Sequence, residues 1–380
     1  MTPTEILRRR LENQALARTS FRTPEEVVAW FGAVQAQDYL GSLWALGQRM
    51  RGATEAIVEA AESRRAIVRT WPMRGTLHFV AAADVRWMTQ LLAPRVLARN
   101  AARIKREVGV DAAVVARCRE VLARELAGGR RLERGALYEA LEARRIKTGN
   151  SRGLHILGWL AMEGTLCLAG RSGKQHTFAL LDDWIPRPPP LARDAALAEL
   201  AARYFTSHGP ATLADFMWWA GITAEDARVS ADAARPRLAS EVIGRREYYW
   251  SARSRKRLHG AATPRVKLLP AFDEYTVAYE DRSLLLAEAK KMDSMGLLSS
   301  VVVADGIVIG TWKRSLAGDG VQVTAKLSRP LRLAEGEALA ESARMLGRFL
   351  GLPARLDISA PRAPRSRIAA VRPASRRGAQ

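Results

Sequence analysis

The sequence predicts a mainly helical fold with β-structure: three tandem winged helix-turn-helix units followed by a small β-barrel or sheet domain with a helix. Two observations carry that expectation. An order of helix, short turn, helix and strand-like hairpin recurs three times in register, which is the winged-helix order. From about Leu258 the pattern then changes to short strand-like runs punctuated by turn residues.

The first unit, residues 1–105, opens with a helix at about Thr4–Ala17. A second helix starts at Thr23-Pro24-Glu25-Glu26, where Thr is an N-cap, Pro occupies the first helical position and the acids favour the helix dipole. It runs through Val27, Val28, Trp30 and Phe31 into Gln35-Ala36-Gln37. A third helix near Tyr39–Met50 carries Leu40, Leu43, Trp44 and Leu46 on one face, and after another helix Ile67–Val80 reads as a hairpin or wing.

The second unit, residues 106–185, repeats this order. Its helices fall near Asp111–Leu126, Glu133–Arg144 and Ser151–Glu163, and its hairpin comprises Thr165–Ala169 and His176–Leu181. The stiff linker Pro186-Arg187-Pro188-Pro189-Pro190 leads to the third unit, residues 190–255. Its helices lie near Ala192–His208, Thr212–Ala220 and Thr223–Ala234, with a strand near Glu241–Trp250. Residues 258–355 hold strand-like runs at Val266–Pro270, Tyr275–Tyr279, Ser299–Val303, Ile307–Trp312 and Gly320–Leu327, then a helix at Glu335–Leu350. The tail 361–380 has six arginines and almost no large apolar residues, so it is expected to be disordered and to add non-specific DNA affinity.

Charge narrows the partner. Sixty Lys and Arg against 39 Asp and Glu give a formal net charge of +21, which favours nucleic acid or an anionic membrane surface. A high-GC genome would supply part of the arginine. Cys118 and Cys167 form no CxxC, and the five histidines are scattered, so neither a disulfide framework nor a zinc site is expected. No cofactor or metal is expected. The N-terminus is not a signal peptide and no apolar run approaches membrane-spanning length, so a soluble, cytoplasmic, nucleoid-associated monomer is expected, with no obligate protein partner. GxSxG, P-loop, HExxH and strand-linked GxGxxG motifs are all absent.

Four segments occur in order: Val34-Gln35-Ala36-Gln37-Asp38, Trp71-Pro72-Met73-Arg74-Gly75-Thr76-Leu77-His78, Leu268-Leu269-Pro270-Ala271-Phe272-Asp273-Glu274-Tyr275 and Asp305-Gly306-Ile307-Val308-Ile309-Gly310-Thr311-Trp312. Together they resemble the AlkZ/YcaQ-like family of winged-helix DNA glycosylases, over about Thr4 to Leu350. That resemblance implies a C-shaped stack of three winged-helix units with a C-terminal β-barrel. It also implies excision of N7-alkylated purines and unhooking of interstrand crosslinks in double-stranded DNA. A Gln-x-Gln motif marks the AlkZ-like branch and Gln-x-Asp the YcaQ-like one. Gln35 and Gln37 match the first pattern; Asp38 lies one position beyond the acid of the second.

Two carboxamides suit that chemistry. An N7-alkylguanine is already cationic and leaves without a general acid, so the protein needs mainly to place a water. Each carboxamide oxygen can accept from the water, and each NH₂ can bond a phosphate or sugar oxygen; neither group titrates usefully. In an extended or turn segment Gln35 and Gln37 share one side, whereas on a helix they would diverge. Their alternative role is to cap helix ends. Asp38 is either the N-cap of the next helix or an anion supporting catalysis beside Gln37.

Arg74, Thr76 and His78 alternate in a strand-like run, either as a phosphate-binding face near the glutamines or as a wing strand facing solvent. Arg253, Arg255, Lys256 and Arg257 form a basic run suited to phosphate contact or to a solvated loop. Asp273, Tyr275 and Arg282 are assigned to a buried Asp–Arg pair fixing the barrel, and Trp71 and Trp312 to the core. A monofunctional hydrolase is expected. The alternative is a non-enzymatic winged-helix regulator or architectural protein, reading DNA with its Ser151–Glu163 and Thr223–Ala234 helices.

Overall fold

The computed structural model describes residues 1–253, 265–288 and 296–360. Arg255, Lys256, Arg257 and the tail 361–380 lie outside the described residues. The chain is an α+β protein, and several of its helices start where a side chain satisfies the first free backbone N–H groups. Helix α1 (Pro3–Asn13) is capped by Thr2, and α2 (Pro24–Phe31) by a reciprocal Thr23–Glu26 capping box. Strand β1 (Ala33–Gln35) follows directly, then α3 (Tyr39–Gly47), α4 (Glu55–Ser63) and the hairpin β2 (Ile67–Met73) and β3 (Thr76–Ala81). A long helix, α5 (Val85–Val108), connects onward and carries no local start signal, since Asp84 makes no side-chain cap bond.

Next come α6 (Ala112–Leu126), β4 (Leu132–Glu133), α7 (Arg134–Ala143), α8 (Arg152–Met162), the hairpin β5 (Leu166–Ser172) and β6 (Gln175–Leu180), and the short α9 (Leu181–Trp184). After the proline linker stand α10 (Arg193–Ser207), α11 (Leu213–Ala220), α12 (Ala224–Ala234) and the hairpin β7 (Leu238–Ile243) and β8 (Arg246–Ser251). The C-terminal part holds β9 (Val266–Leu269), α13 (Glu274–Val277), β10 (Val301–Ala304), β11 (Ile307–Ala317), β12 (Gly320–Leu327), α14 (Leu333–Leu350) and β13 (Ala354–Ser359).

The first two hairpins are not separate wings. They merge into one six-stranded sheet, ordered β1-β3-β2-β5-β6-β4, through a contact between β2 and β5 at Arg69 and Leu168. The β7–β8 hairpin forms its own two-stranded sheet. The C-terminal strands form an open sheet ordered β13-β12-β11-β10-β9; the barrel closure expected between its edges is not formed among the described residues.

Two local expectations are corrected. Tyr275–Tyr279 is not a strand: Asp273 accepts the Tyr275 N–H and starts α13, and the Thr276 hydroxyl donates back to the Asp273 carbonyl. The buried aspartate pairs with Arg49, not with Arg282. Arg49 donates Nη1 and Nη2 to the two oxygens of Asp273 at 2.8 and 2.7 Å. Arg282 instead donates to the Tyr279 carbonyl and lies over the Trp218 ring.

The C-terminal sheet packs on the first helices. Val27, Phe31, Leu43 and Trp44 share a core with Leu268, Val302, Trp312 and Phe349. The indole N–H groups of Trp44 and Trp312 donate to the carbonyls of Leu268 and Leu269, both at 2.7 Å. Trp71 is also core, beside Ile104, Leu157 and Leu168. No described helix is long and apolar enough to cross a membrane.

Candidate active site

The Gln-Ala-Gln segment leaves α2 at Gly32, whose φ of +82° an L side chain would strain, and enters β1 as extended chain. Burial then alternates: Val34 and Ala36 point into the core, while Gln35 is half-buried and Gln37 exposed. Extended geometry therefore puts both glutamines on the face opposite Val34 and Ala36. Neither caps a helix; capping falls to Asp38, whose Oδ1 accepts the Gly41 N–H at 3.2 Å at the start of α3.

The backbone of the segment is held at every polar group from Gln35 N to Ala36 O except one carbonyl. The Gln35 N–H donates to Glu274 Oε1 at 2.8 Å, and the Ala36 N–H to the Leu77 carbonyl at 2.8 Å. The Ala36 carbonyl accepts Nε and Nη2 of Arg69 at 3.0 and 2.8 Å. The third nitrogen of Arg69, Nη1, donates to His176 Nε2 on β6 at 3.0 Å. The strand carrying the glutamines is thus fixed by side chains from β2 and α13.

The carboxamides are engaged differently. Gln37 Oε1 accepts the Leu77 N–H at 3.2 Å, which turns its NH₂ away from the strand. Gln35 Oε1 is buried and accepts no hydrogen bond among the described residues.

Gln35 lies directly opposite His78 in the β1–β3 ladder, so the two side chains share a face. His78 is fully buried: Nδ1–H donates to the Thr76 carbonyl at 2.9 Å and Nε2 accepts from Arg74 Nη2 at 3.0 Å. Burial, then the Arg74 charge, pushes its pKa down to about 3, which fixes a neutral ring. Arg74 is not on the strand as expected. It forms the β2–β3 turn with Gly75, at φ +56° and +75°, the hand that two-residue hairpin turns require. Thr76 faces inward with a buried hydroxyl that has no partner among the described residues. Arg253 is exposed beyond β8, and the structure brings it to none of these groups by any described contact.

Glu274 escaped the sequence reading although it sits inside one of the quoted segments. It is 1% exposed, and its Oε2 accepts Trp219 Nε1–H at 2.9 Å and His208 Nε2–H at 3.3 Å. Burial opposes its ionisation, but the His208 hydrogen bond and the neighbouring His208, Arg74 and His78 outweigh it and hold the pKa at about 2. His208 itself is pushed down by burial. Its Nδ1 lies 2.9 Å from the Ser207 hydroxyl and its Nε2 faces Glu274, so both ring nitrogens have a polar partner.

These groups set an acid sensitivity. His78 is protonated more readily in the unfolded chain, near pH 6.5, than in the folded one, near pH 3, so stability falls as pH drops through that window. Between pH 6.5 and 4.5 the loss is expected to approach about 1.4 kcal/mol per pH unit for each fully buried neutral histidine. Glu274 adds its share only below about pH 4.5, in the same direction. Urea unfolding of wild type and His78→Gln at pH 7 and 4.5 checks this: the variant should lose visibly less stability on acidification.

Two glutamines at a strand end thus lie beside a buried carboxylate and two engaged arginines, with no metal-ligand cluster among the described residues. Comparison with known proteins makes the class specific. The family model described as "DNA glycosylase AlkZ-like" matches residues 28–349, and the chain belongs to that family of DNA glycosylases. The interstrand DNA cross-link repair glycosylase of Streptomyces sahachiroi is 26% identical over 328 residues, covering 80% of this chain and 85% of the relative. The solved structure of Streptomyces sahachiroi DNA glycosylase AlkZ has the same fold, with a TM-score of 0.76 at 23% identity over 95% of this chain and all of that one.

Proposed function

We propose that this glycosylase hydrolyses the N-glycosidic bond of cationic N7-alkylated purines, including those in interstrand crosslinks, with water placed by Gln35 and Gln37. The observation that carries this is the Gln35 carboxamide oxygen, buried and without a donor among the described residues, on a strand end whose backbone is clamped. Such an acceptor suits a water directed at the sugar. The Gln37 NH₂, turned outward by the Leu77 bond, suits a sugar or phosphate oxygen. Of the two carboxamide oxygens, only that of Gln35 therefore lacks a hydrogen-bond donor among the described residues.

The bond between C1′ and the glycosidic nitrogen breaks with its electron pair passing to the cationic base, which departs neutral. Water oxygen bonds to C1′ and its proton passes to solvent. No side chain of the pair accepts a proton, which confines the chemistry to leaving groups that are already charged. Glu274 adds a buried negative charge directly behind Gln35, favourable to the developing sugar cation.

The test is base release from duplexes carrying 7-methylguanine, a nitrogen-mustard crosslink or neutral hypoxanthine, under single-turnover conditions. Release from the first two and not the third is expected; release from hypoxanthine at a comparable rate would overturn the mechanism. Glu274→Gln should slow release roughly 10- to 100-fold while changing duplex affinity little, because the interaction is realised as charge develops.

A further inference from the structure

A groove of about 670 Å³ opens beside the β2–β3 turn, a size typical of small-ligand clefts. Arg74 lines it from the turn, Arg95, Arg99 and Asn100 from α5, and Trp218 from α11. Arg95 and Arg99 lie one helical turn apart, are exposed, and have no hydrogen-bond or ion-pair partner among the described residues. Their neighbour Arg103 differs: it is satisfied by Glu107 and Asn100. Glu280 also lines the groove, one carboxylate against three guanidinium groups.

Trp218 stands out from the molecule's other large apolar side chains. It is 48% exposed yet held in place: its Nε1–H donates to the Val277 carbonyl at 2.9 Å, and the Arg282 guanidinium lies 5.3 Å from its ring centroid. Its chain neighbour Trp219 is buried and donates to Glu274. Helix α11 therefore presents one indole to the support of Gln35 and the other to the groove. Arg74 makes the second link, since its guanidinium bonds His78, which faces Gln35.

We infer that this groove seats a nucleotide flanking the reacting one, with its phosphates on Arg95 and Arg99 and its unstacked base against Trp218. Rows of unpaired arginine recognise phosphate, and a fixed, exposed indole recognises the π-face of any base. An intact duplex hides base faces between neighbours, so the occupant is a nucleotide unstacked at a lesion or abasic product. The inference rests on the glycosylase reading above and adds a second contact surface to it.

The test uses the full chain and a duplex carrying a tetrahydrofuran abasic analogue with 2-aminopurine as its neighbour. Binding of wild type should change the 2-aminopurine fluorescence. Trp218→Ala should abolish that change and weaken affinity by about 5- to 150-fold, and Trp218→Phe should restore most of both. Arg95→Ala/Arg99→Ala should lower the slope of log affinity against log salt by about 2. A Trp218→Ala protein of wild-type thermal stability that retains the fluorescence change, or an arginine variant with an unchanged slope, overturns the proposal. Base release from a 7-methylguanine duplex is measured in parallel. If wild type releases base while groove variants bind as wild type, the groove fails alone; if wild type releases none while those variants lose affinity, the excision reading fails and the groove stands.

Discussion

Replacing Gln35 and Gln37 together by alanine is expected to slow release of 7-methylguanine by at least about 100-fold, the penalty typical of a misplaced reacting partner. Duplex affinity should stay within a few-fold, because the arginines proposed to bind phosphate are untouched. Single substitutions should separate the two roles. Gln35→Ala removes the open acceptor and should account for most of the loss in rate. Gln37→Ala frees the Leu77 N–H and removes an outward NH₂, so it should affect substrate placement as well as rate. Single-turnover kinetics with a fluorescence binding titration check this. A double variant that releases base as fast as wild type would remove the glutamines from the mechanism.

The second large effect is on stability. Arg49 and Asp273 are 2% and 0% exposed in their side chains and bonded through both terminal guanidinium nitrogens. Arg49 also donates to the carbonyls of Gln14 and Ala45 and to the Gln14 side chain. Removing one partner strands a buried charge, so Arg49→Met or Asp273→Leu alone should cost about 3–5 kcal/mol. The paired change Arg49→Met/Asp273→Leu should recover part of it, since no charge is then left unpaired. Urea unfolding of the four proteins forms the cycle. The expected coupling is strong because Asp273 also starts the helix that carries Glu274.

Much of the helical frame was legible because its signals are local. Thr23-Pro24-Glu25-Glu26 marks the start of α2, Thr212 and Thr223 mark α11 and α12, and Gly173 marks a hairpin turn, whereas the turn at Arg74-Gly75 reads as strand. The side of the glutamines was legible too, as an extended i, i+2 pair. What was not legible depends on packing across the chain. Tyr275–Val277 has strand-like composition, yet the Asp273 cap and complete burial make it helical. The expected Asp273–Arg282 pairing follows sequence proximity, whereas the true partner lies 224 positions away. The edge of a small sheet is equally hidden: β13 pairs parallel to β12, a pairing no turn signal announces. Glu274 and Arg69 hold the glutamine strand through contacts 239 and 33 positions apart, and neither spacing has a motif.

The 239-residue span between Gln35 and Glu274 also has a consequence in time. During synthesis the glutamines emerge first and the carboxylate that anchors them among the last elements, after α10 and α11 have supplied His208 and Trp219. A nascent or truncated chain ending before residue 274 can form the early helices but leaves the Gln35 N–H without its acceptor. The proposed water-placing geometry is thus gained only once synthesis has passed residue 274.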